Sequence, residues 1–226
     1  MNSSPHRTLS QPLAFAALLL AMQHPASLSA ETVSIPGAPQ LEASIELPPD
    51  FDAAIAYNVL VSPGNFYWQE RPSQPGWITV SSDGFWGDDR IESSKRLLDW
   101  LRDHYQLRND GFHAAGWSAN SAGVFEIVAR YPAEFLSITG IAGMPGAGSE
   151  GDLSNFAGLH VQFIVGENDR YWRRGSERWF ELMQEAGIET TLEIIANGDH
   201  VMPEIANGPL FERLDGLVAK IESRHE

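Results

Sequence analysis

The amino-acid sequence predicts an α/β protein in which a mostly parallel sheet is flanked by helices on both faces. Short apolar segments alternate along the chain with stretches of roughly ten to fifteen residues whose apolar positions recur at helical spacing. This alternation is typical of parallel strands joined by crossover helices. Beyond its N-terminal region the chain of 226 residues has no apolar run long enough to span a membrane. We therefore expect a single domain.

The N-terminal segment has the composition of an export signal. Arg7 is its only formal charge, residues 13–22 form an apolar core, and small residues precede Glu31. We expect residues 1–30 to be a signal peptide. Residues 31–226 would then be an exported domain, periplasmic or secreted, without a stable membrane anchor after cleavage. A short hydrophobic helix within the folded domain is the alternative.

The charge balance and the lack of cysteine exclude several classes of function. Thirty acidic residues outweigh fifteen basic ones, which gives a formal net charge of −15. Such a surface repels phosphate backbones and anionic lipids, so we expect no nucleic-acid partner and no polybasic membrane contact. A chain without cysteine has no thiol nucleophile and no cysteine–zinc site.

In the N-terminal half, the predicted elements lead up to one unusual turn. Residues 31–40 are expected to form an ordered or fraying arm, and residues 41–47 an edge strand that ends at two prolines. Two short apolar strands follow at 56–62 and 77–81. Apolar residues at helical spacing then predict a helix over 91–105.

The C-terminal half continues the alternation of strands and helices. Strands are predicted at 135–141, 161–165 and 191–196, and helices near 179–187 and 210–221. Parallel sheets bind ligands at the carboxyl ends of their strands. The loops that follow the predicted strands are therefore where functional side chains are expected.

A serine on a strand-to-helix turn is the central feature of the sequence. Small and apolar residues lead up to Gly116-Trp117-Ser118, and a helical pattern follows. A turn of this kind holds a nucleophilic serine in a strained conformation, which requires small neighbours. The usual pattern is G-x-S-x-G, and here Asn120 replaces the last glycine. The alternatives are Ser121 as the nucleophile, in an A-x-S-x-G frame, or a loop without chemistry.

A serine hydroxyl needs a base to become a nucleophile, and histidine is the usual one. His200 comes directly after the predicted strand 191–196, as the base of such a site should. His160 precedes a strand and His225 lies in the terminal tail. The sequence therefore favours His200.

The carboxylate that orients the base is expected after the predicted strand 161–165. Asp169 is the favoured residue, and Glu167 is a nearer but less typical candidate. Asp169 has an alternative explanation, because an aspartate at this point can serve simply as a helix N-cap.

The tetrahedral intermediate of acyl transfer also needs two backbone N–H donors. One is expected from Ala119, directly after the nucleophile. The other is expected from the loop at Gly64, Asn65 and Phe66, because Pro63 has no N–H.

Aromatic side chains near these positions are candidates for substrate binding. They are Trp117, Trp86, Tyr171 and Trp172, although packing at the rim of the cleft is an equally good explanation. The histidines are scattered and no H-x-x-x-H spacing occurs, so no metal and no cofactor are expected.

Several further motifs resemble bacterial members of the phospholipase/carboxylesterase branch of the α/β-hydrolases. They are Arg-Tyr-Pro-Ala-Glu-Phe at 130–135, Ile-Thr-Gly-Ile-Ala-Gly at 138–143, Val-Gly-Glu-Asn-Asp at 165–169 and Gly-Asp-His at 198–200. The resemblance covers about residues 56–217. It implies a compact α/β-hydrolase fold without a large lid domain, and it implies serine esterase activity.

These observations predict an exported serine hydrolase that cleaves a small-molecule or polymer-linked carboxylic ester. Ser118, Asp169 and His200 would form its catalytic triad and pass the acyl group through an acyl-enzyme. Two alternatives stay open: a non-catalytic binding domain of the same fold, and a serine peptidase. The binding domain is favoured by Asn120, and by Pro63 where the family usually has His-Gly.

Overall fold

The computed structural model describes residues 30–37, 39–64, 67, 74–85 and 87–224, with the backbone alone for residues 149–152. All residues of the predicted signal peptide except the last lie outside the described residues, as do Asn65, Phe66 and Trp86.

One eight-stranded sheet organises the described part of the chain. Its strands are β1 (Glu31–Ile35), β2 (Leu41–Glu46), β3 (Tyr57–Ser62), β4 (Trp77–Ser82), β5 (Leu107–Trp117), β6 (Phe135–Ile141), β7 (His160–Gly166) and β8 (Glu189–Ile195). Their order in space is β1-β2-β4-β3-β5-β6-β7-β8. The pairings of β1 with β2 and of β2 with β4 are antiparallel, and the remaining pairings are parallel.

Helices cover both faces of the sheet. The four α-helices of the described chain are α1 (Arg90–His104), α2 (Ser121–Arg130), α3 (Arg170–Glu185) and α4 (Gly208–Glu222). Buried residues of α1, α2 and α3 join one hydrophobic cluster, and those of α4 join a second cluster. The predicted fold class, a mostly parallel sheet with helices on both faces, is confirmed.

Burial explains why the central strands contain uninterrupted apolar runs. Every residue of β3 and of β7 is buried, because helices cover both faces of a parallel sheet. The strand β2, expected at the edge of the sheet, instead lies between β1 and β4, because residues Glu31–Ile35 add a further strand outside it. Its residues alternate, and it buries Leu41, Ala43 and Ile45 on one face.

The first half of the N-terminal arm expected at residues 31–40 is ordered, and it forms a strand. Residues Glu31–Ile35 form β1, which pairs antiparallel with β2. Ile35 is buried in the main core and Val33 packs against that core. The segment is therefore held both by backbone hydrogen bonds to β2 and by apolar contacts.

No described helix is long and apolar enough to cross a membrane.

Candidate active site

Ser118 occupies a strained position between the end of β5 and the start of α2. Its φ is +53°, in the left-handed region that side chains other than glycine rarely adopt. The turn is tight: a Cβ on Gly116 would lie 2.6 Å from the Cα of Ser121. Only glycine fits at residue 116, as expected from the sequence. Strain of this kind persists where the surrounding structure enforces it, most often at functional sites.

Ser121, the competing serine, is built into the turn. Its side chain is fully buried. Its hydroxyl lies 2.6 Å from the carbonyl oxygen of Ser118, to which it donates, and accepts the N–H of Met144 at 2.9 Å. A hydroxyl held in this way stabilises the turn and is not available to a substrate. The geometry therefore favours Ser118 as the reactive serine.

Asn120, which replaces the usual glycine, has a structural role in the turn. Its side-chain oxygen accepts the backbone N–H of Trp117 at 2.7 Å. Its φ of −73° is ordinary helical geometry, so this position does not require glycine. The departure from the G-x-S-x-G pattern is thus accommodated, and Asn120 closes the turn around Ser118.

The predicted base and acid form a continuous hydrogen-bonded chain with Ser118. The Ser118 hydroxyl lies 2.9 Å from Nε2 of His200. Nδ1 of the same ring lies 2.7 Å from a carboxylate oxygen of Asp169. The Asp169 side chain is only 10% exposed, whereas the His200 side chain is 38% exposed. The acid is therefore sheltered, and the base faces the surface where a substrate can enter.

The loops after β7 and β8 are held together, and this places the acid beside the base. A Cβ on Gly166 would overlap the carbonyl oxygens of Gly198 and Asp199. The backbone N–H of Asn168 donates to the Gly198 carbonyl at 2.8 Å, and its side chain donates to the Asn197 carbonyl at 3.1 Å. The glycine at the end of β7 thus permits the close approach of the two loops.

Glu167 and Asp169 have different tasks in this arrangement. The Glu167 carboxylate accepts the backbone N–H of Asn197 at 2.9 Å, so it supports the histidine loop from outside. Asp169 occupies the N-cap position of α3, but its side chain makes no capping hydrogen bond. Its carboxylate points to His200 instead, and the simple N-cap explanation therefore does not account for it.

Comparison with known proteins rests on solved structures, since no family model and no curated protein matches the chain. Est1E from Butyrivibrio proteoclasticus is 11% identical over 83% of this chain and 99% of its own, with a TM-score of 0.62. An S-formylglutathione hydrolase from Agrobacterium tumefaciens is 15% identical over 84% of this chain and 94% of its own, with a TM-score of 0.61. Dipeptidyl peptidase 4 from Porphyromonas gingivalis is 16% identical over 86% of this chain, with a TM-score of 0.61.

The chain has the α/β-hydrolase fold. This confirms the fold that the sequence motifs implied. Some matching proteins are much longer: the chain spans 35% of the Porphyromonas peptidase, 36% of a matching protein from Bacteroides ovatus and 55% of a thermostable esterase.

Two tryptophans of this α/β-hydrolase fold flank the ring of His200. The Trp117 ring lies 5.4 Å from it, centroid to centroid, and the Trp172 ring stacks on it at 5.9 Å. Tyr171 packs edge-on against Trp172 at 5.3 Å and is 70% exposed. Of the aromatic residues predicted to bind substrate, Trp117 and Trp172 contact the base, Tyr171 contacts Trp172, and Trp86 lies outside the described residues.

The oxyanion donors expected from the sequence have different surroundings. Ala119 follows Ser118 directly and is exposed at the turn. The N–H of Gly64 donates to the hydroxyl of Ser62 at 3.2 Å, in a local turn. That donor is therefore engaged in this conformation, and Asn65 lies outside the described residues. The identity of the second donor stays a prediction.

Tyr67 is a component of the site that sequence reasoning missed. It is buried, and its ring lies edge-on to Trp117 at 6.3 Å. Its carbonyl accepts the N–H of Asn207 at 2.6 Å, which ties the loop after β3 to the start of α4. Burial raises the pKa of the Tyr67 hydroxyl to about 12, so this residue is neutral at physiological pH. No local sequence pattern around residue 67 predicts its contacts with Trp117 and Asn207.

The described residues contain no cluster of three or more histidine, cysteine, aspartate or glutamate side chains that could hold a metal ion.

Proposed function

We propose that this protein is an exported serine hydrolase that cleaves carboxylic esters. The observation that carries the proposal is the chain of hydrogen bonds from Ser118 through His200 to Asp169, with Ser118 at a positive φ. Nucleophile, base and orienting acid have the distances that acyl transfer requires.

In the proposed reaction, the Ser118 oxygen attacks the ester carbonyl and its proton passes to Nε2 of His200. Asp169 keeps the other ring proton on Nδ1 and stabilises the imidazolium that forms. The carbon–oxygen bond to the alcohol then breaks, and the alcohol leaves with the proton from Nε2. A water molecule then attacks the carbonyl carbon of the acyl-enzyme and gives a proton to Nε2 of His200. The bond between the acyl carbon and the Ser118 oxygen breaks, the Ser118 oxygen takes the proton back from His200, and the carboxylic acid leaves.

The developing oxyanion needs donors in place before the reaction. We assign one to the backbone N–H of Ala119, since it follows the nucleophile directly. The second belongs to the loop that begins at Gly64, with Asn65 and Phe66 the better candidates because the Gly64 N–H is engaged by Ser62.

Two flanking indoles support this role for His200. The ring becomes positively charged in the transition state, and the faces of Trp117 and Trp172 attract positive charge.

A non-catalytic binding domain accounts less well for the site. A left-handed serine costs on the order of 1–3 kcal/mol, and a binding surface gains nothing from that cost. Esterases and peptidases both occur among the proteins that share this fold. Esters are the proposed substrates because of the motif resemblance in residues 130–143.

A panel of 4-nitrophenyl esters of graded acyl length tests the activity, with Ser118→Ala as the control. The proposal expects saturable hydrolysis by the wild type and none above background by the variant. Equal rates for both proteins would overturn it. Export is tested separately by N-terminal sequencing of active protein from outside the cytoplasm, which should begin between about Ser27 and Glu31. Active protein there that retains Met1 would contradict export through cleavage.

A further inference from the structure

The first turns of α3 carry a row of arginines beside the proposed active site. Arg170, Arg174 and Arg178 recur at every fourth residue, so they lie on one face of the helix, and all three are exposed. They line a surface groove of about 460 Å³. A groove of this volume accommodates a small organic group.

The floor of this arginine groove is apolar. Met144, from the loop after β6, lies against Gly175 of α3, and a Cβ on Gly175 would overlap the Met144 sulfur. Tyr171 lines the groove as well. A polarisable floor with cations on one side suits a ligand that has a short carbon chain and a negative charge.

Two of these arginines have no partner of their own. Several other described arginines have carboxylate partners: Arg90 pairs with Glu126, for example, and Arg213 pairs with Glu193. Arg170 and Arg174 make no ion pair and no side-chain hydrogen bond in the described part of the chain. The protein has thirty acidic residues and only fifteen basic ones, so two neighbouring unpaired arginines are unexpected. They are available to an external anion.

The arginine groove adjoins the triad on two sides. Arg170 directly follows Asp169, and Tyr171 packs against Trp172, which stacks on His200. On the other side, the backbone N–H of Met144 bonds to the hydroxyl of Ser121 in the serine turn. The groove therefore lies beside residues that contact the triad.

We propose that the arginine groove binds a carboxylate carried by the substrate, so that the enzyme prefers negatively charged esters. This inference rests on the proposed esterase function. Guanidinium groups one helical turn apart present several N–H donors to one carboxylate. The net charge of −15 repels anions at long range, and the attraction by Arg170 and Arg174 acts locally, within a Debye length of about 10 Å.

The test compares charged and neutral esters of matched shape. For a charge on the acyl side, the pair is mono-4-nitrophenyl glutarate and 4-nitrophenyl valerate. For a charge on the alcohol side, it is 4-acetoxybenzoate and its methyl ester. The measured quantity is the ratio of kcat/KM for the charged ester to kcat/KM for its neutral partner, at low ionic strength, in each protein.

The double variant Arg170→Gln/Arg174→Gln should lower this ratio by about five- to tenfold for at least one pair, chiefly through KM. The control Arg130→Gln/Lys220→Gln removes the same charge from exposed positions near the ends of α2 and α4, and it should keep the wild-type ratio. Added salt should lower the ratio in the wild type and in the control.

Hydrolysis of all four esters with the same ratios in the wild type and the double variant would overturn the groove inference alone. An equal fall in the control would also overturn it, because the effect would then come from net charge. Hydrolysis of none of the four esters would overturn the proposed function and this inference with it.

Discussion

Gly166 and Asp199 approach each other so closely that no side chain fits between them. A Cβ on Gly166 would overlap the Asp199 carbonyl oxygen, one residue before the proposed base. The contact joins the loop of Asp169 to the loop of His200. The 2.7 Å hydrogen bond between the Asp169 carboxylate and the His200 ring depends on this contact.

Gly166→Ala should therefore separate the acid from the base. We expect kcat/KM for a chromogenic ester to fall by about 10²-fold, because displacements near 1 Å have this effect on positioned groups. The Tm should fall as well. Gly216→Ala is the matched control, since a Cβ there meets open space and alanine favours the interior of α4. A Gly166→Ala variant with wild-type kinetics would contradict the account of the two loops.

The separate tasks of the two acids predict an unequal response to neutralisation. Asp169→Asn should lower kcat by about 10³- to 10⁴-fold, because the amide favours the wrong tautomer of His200. Glu167→Gln should change kcat by less than about threefold, since the amide oxygen can still accept the Asn197 N–H. Steady-state kinetics of both variants checks this. The reverse order would make Glu167 the acid.

A buried histidine away from the site predicts how stability depends on pH. His113 is buried in β5 against Ser137, and burial lowers its pKa to about 3. Between pH 3 and 6.5 the unfolded chain therefore binds a proton that the native protein does not. The contribution of His113 to the free energy of unfolding is therefore fully present above pH 6.5. It decreases as the pH drops below that value, by up to about 1.4 kcal/mol per pH unit.

His113→Asn should flatten that dependence, even where it lowers stability at pH 7. The measurement is urea unfolding from pH 4.5 to 7.5, with His104→Asn as the control at an exposed position. An unchanged slope in His113→Asn would show that this histidine is not the source of the effect.

The sequence predicted those parts of the site that depend on local order along the chain. Ser118, Asp169 and His200 each follow a strand, and parallel strands bring such loops to one edge of the sheet. The apolar runs that predicted those strands reflect burial on both faces, which is a local pattern.

Features that depend on contacts between distant parts of the chain could not be predicted from the sequence. The difference between Glu167 and Asp169 comes from the path of the loop around Asn197, which no pattern near residue 167 records. Likewise, Ser121 is distinguished from Ser118 by its bond to Met144, from a different loop. The arginine row on α3 is visible in the sequence, but its place beside the triad is not.

Covalent labelling tests the central claim most directly. A fluorophosphonate reacts with a serine only where the base and the oxyanion donors act on it together. The account predicts one adduct per chain, mapped by peptide mass spectrometry to Ser118 and abolished by Ser118→Ala. In Ser121→Ala the adduct should persist on Ser118, with a lower Tm because the turn loses hydrogen bonds. An adduct on Ser121, or no adduct on correctly folded protein, would contradict the proposed mechanism.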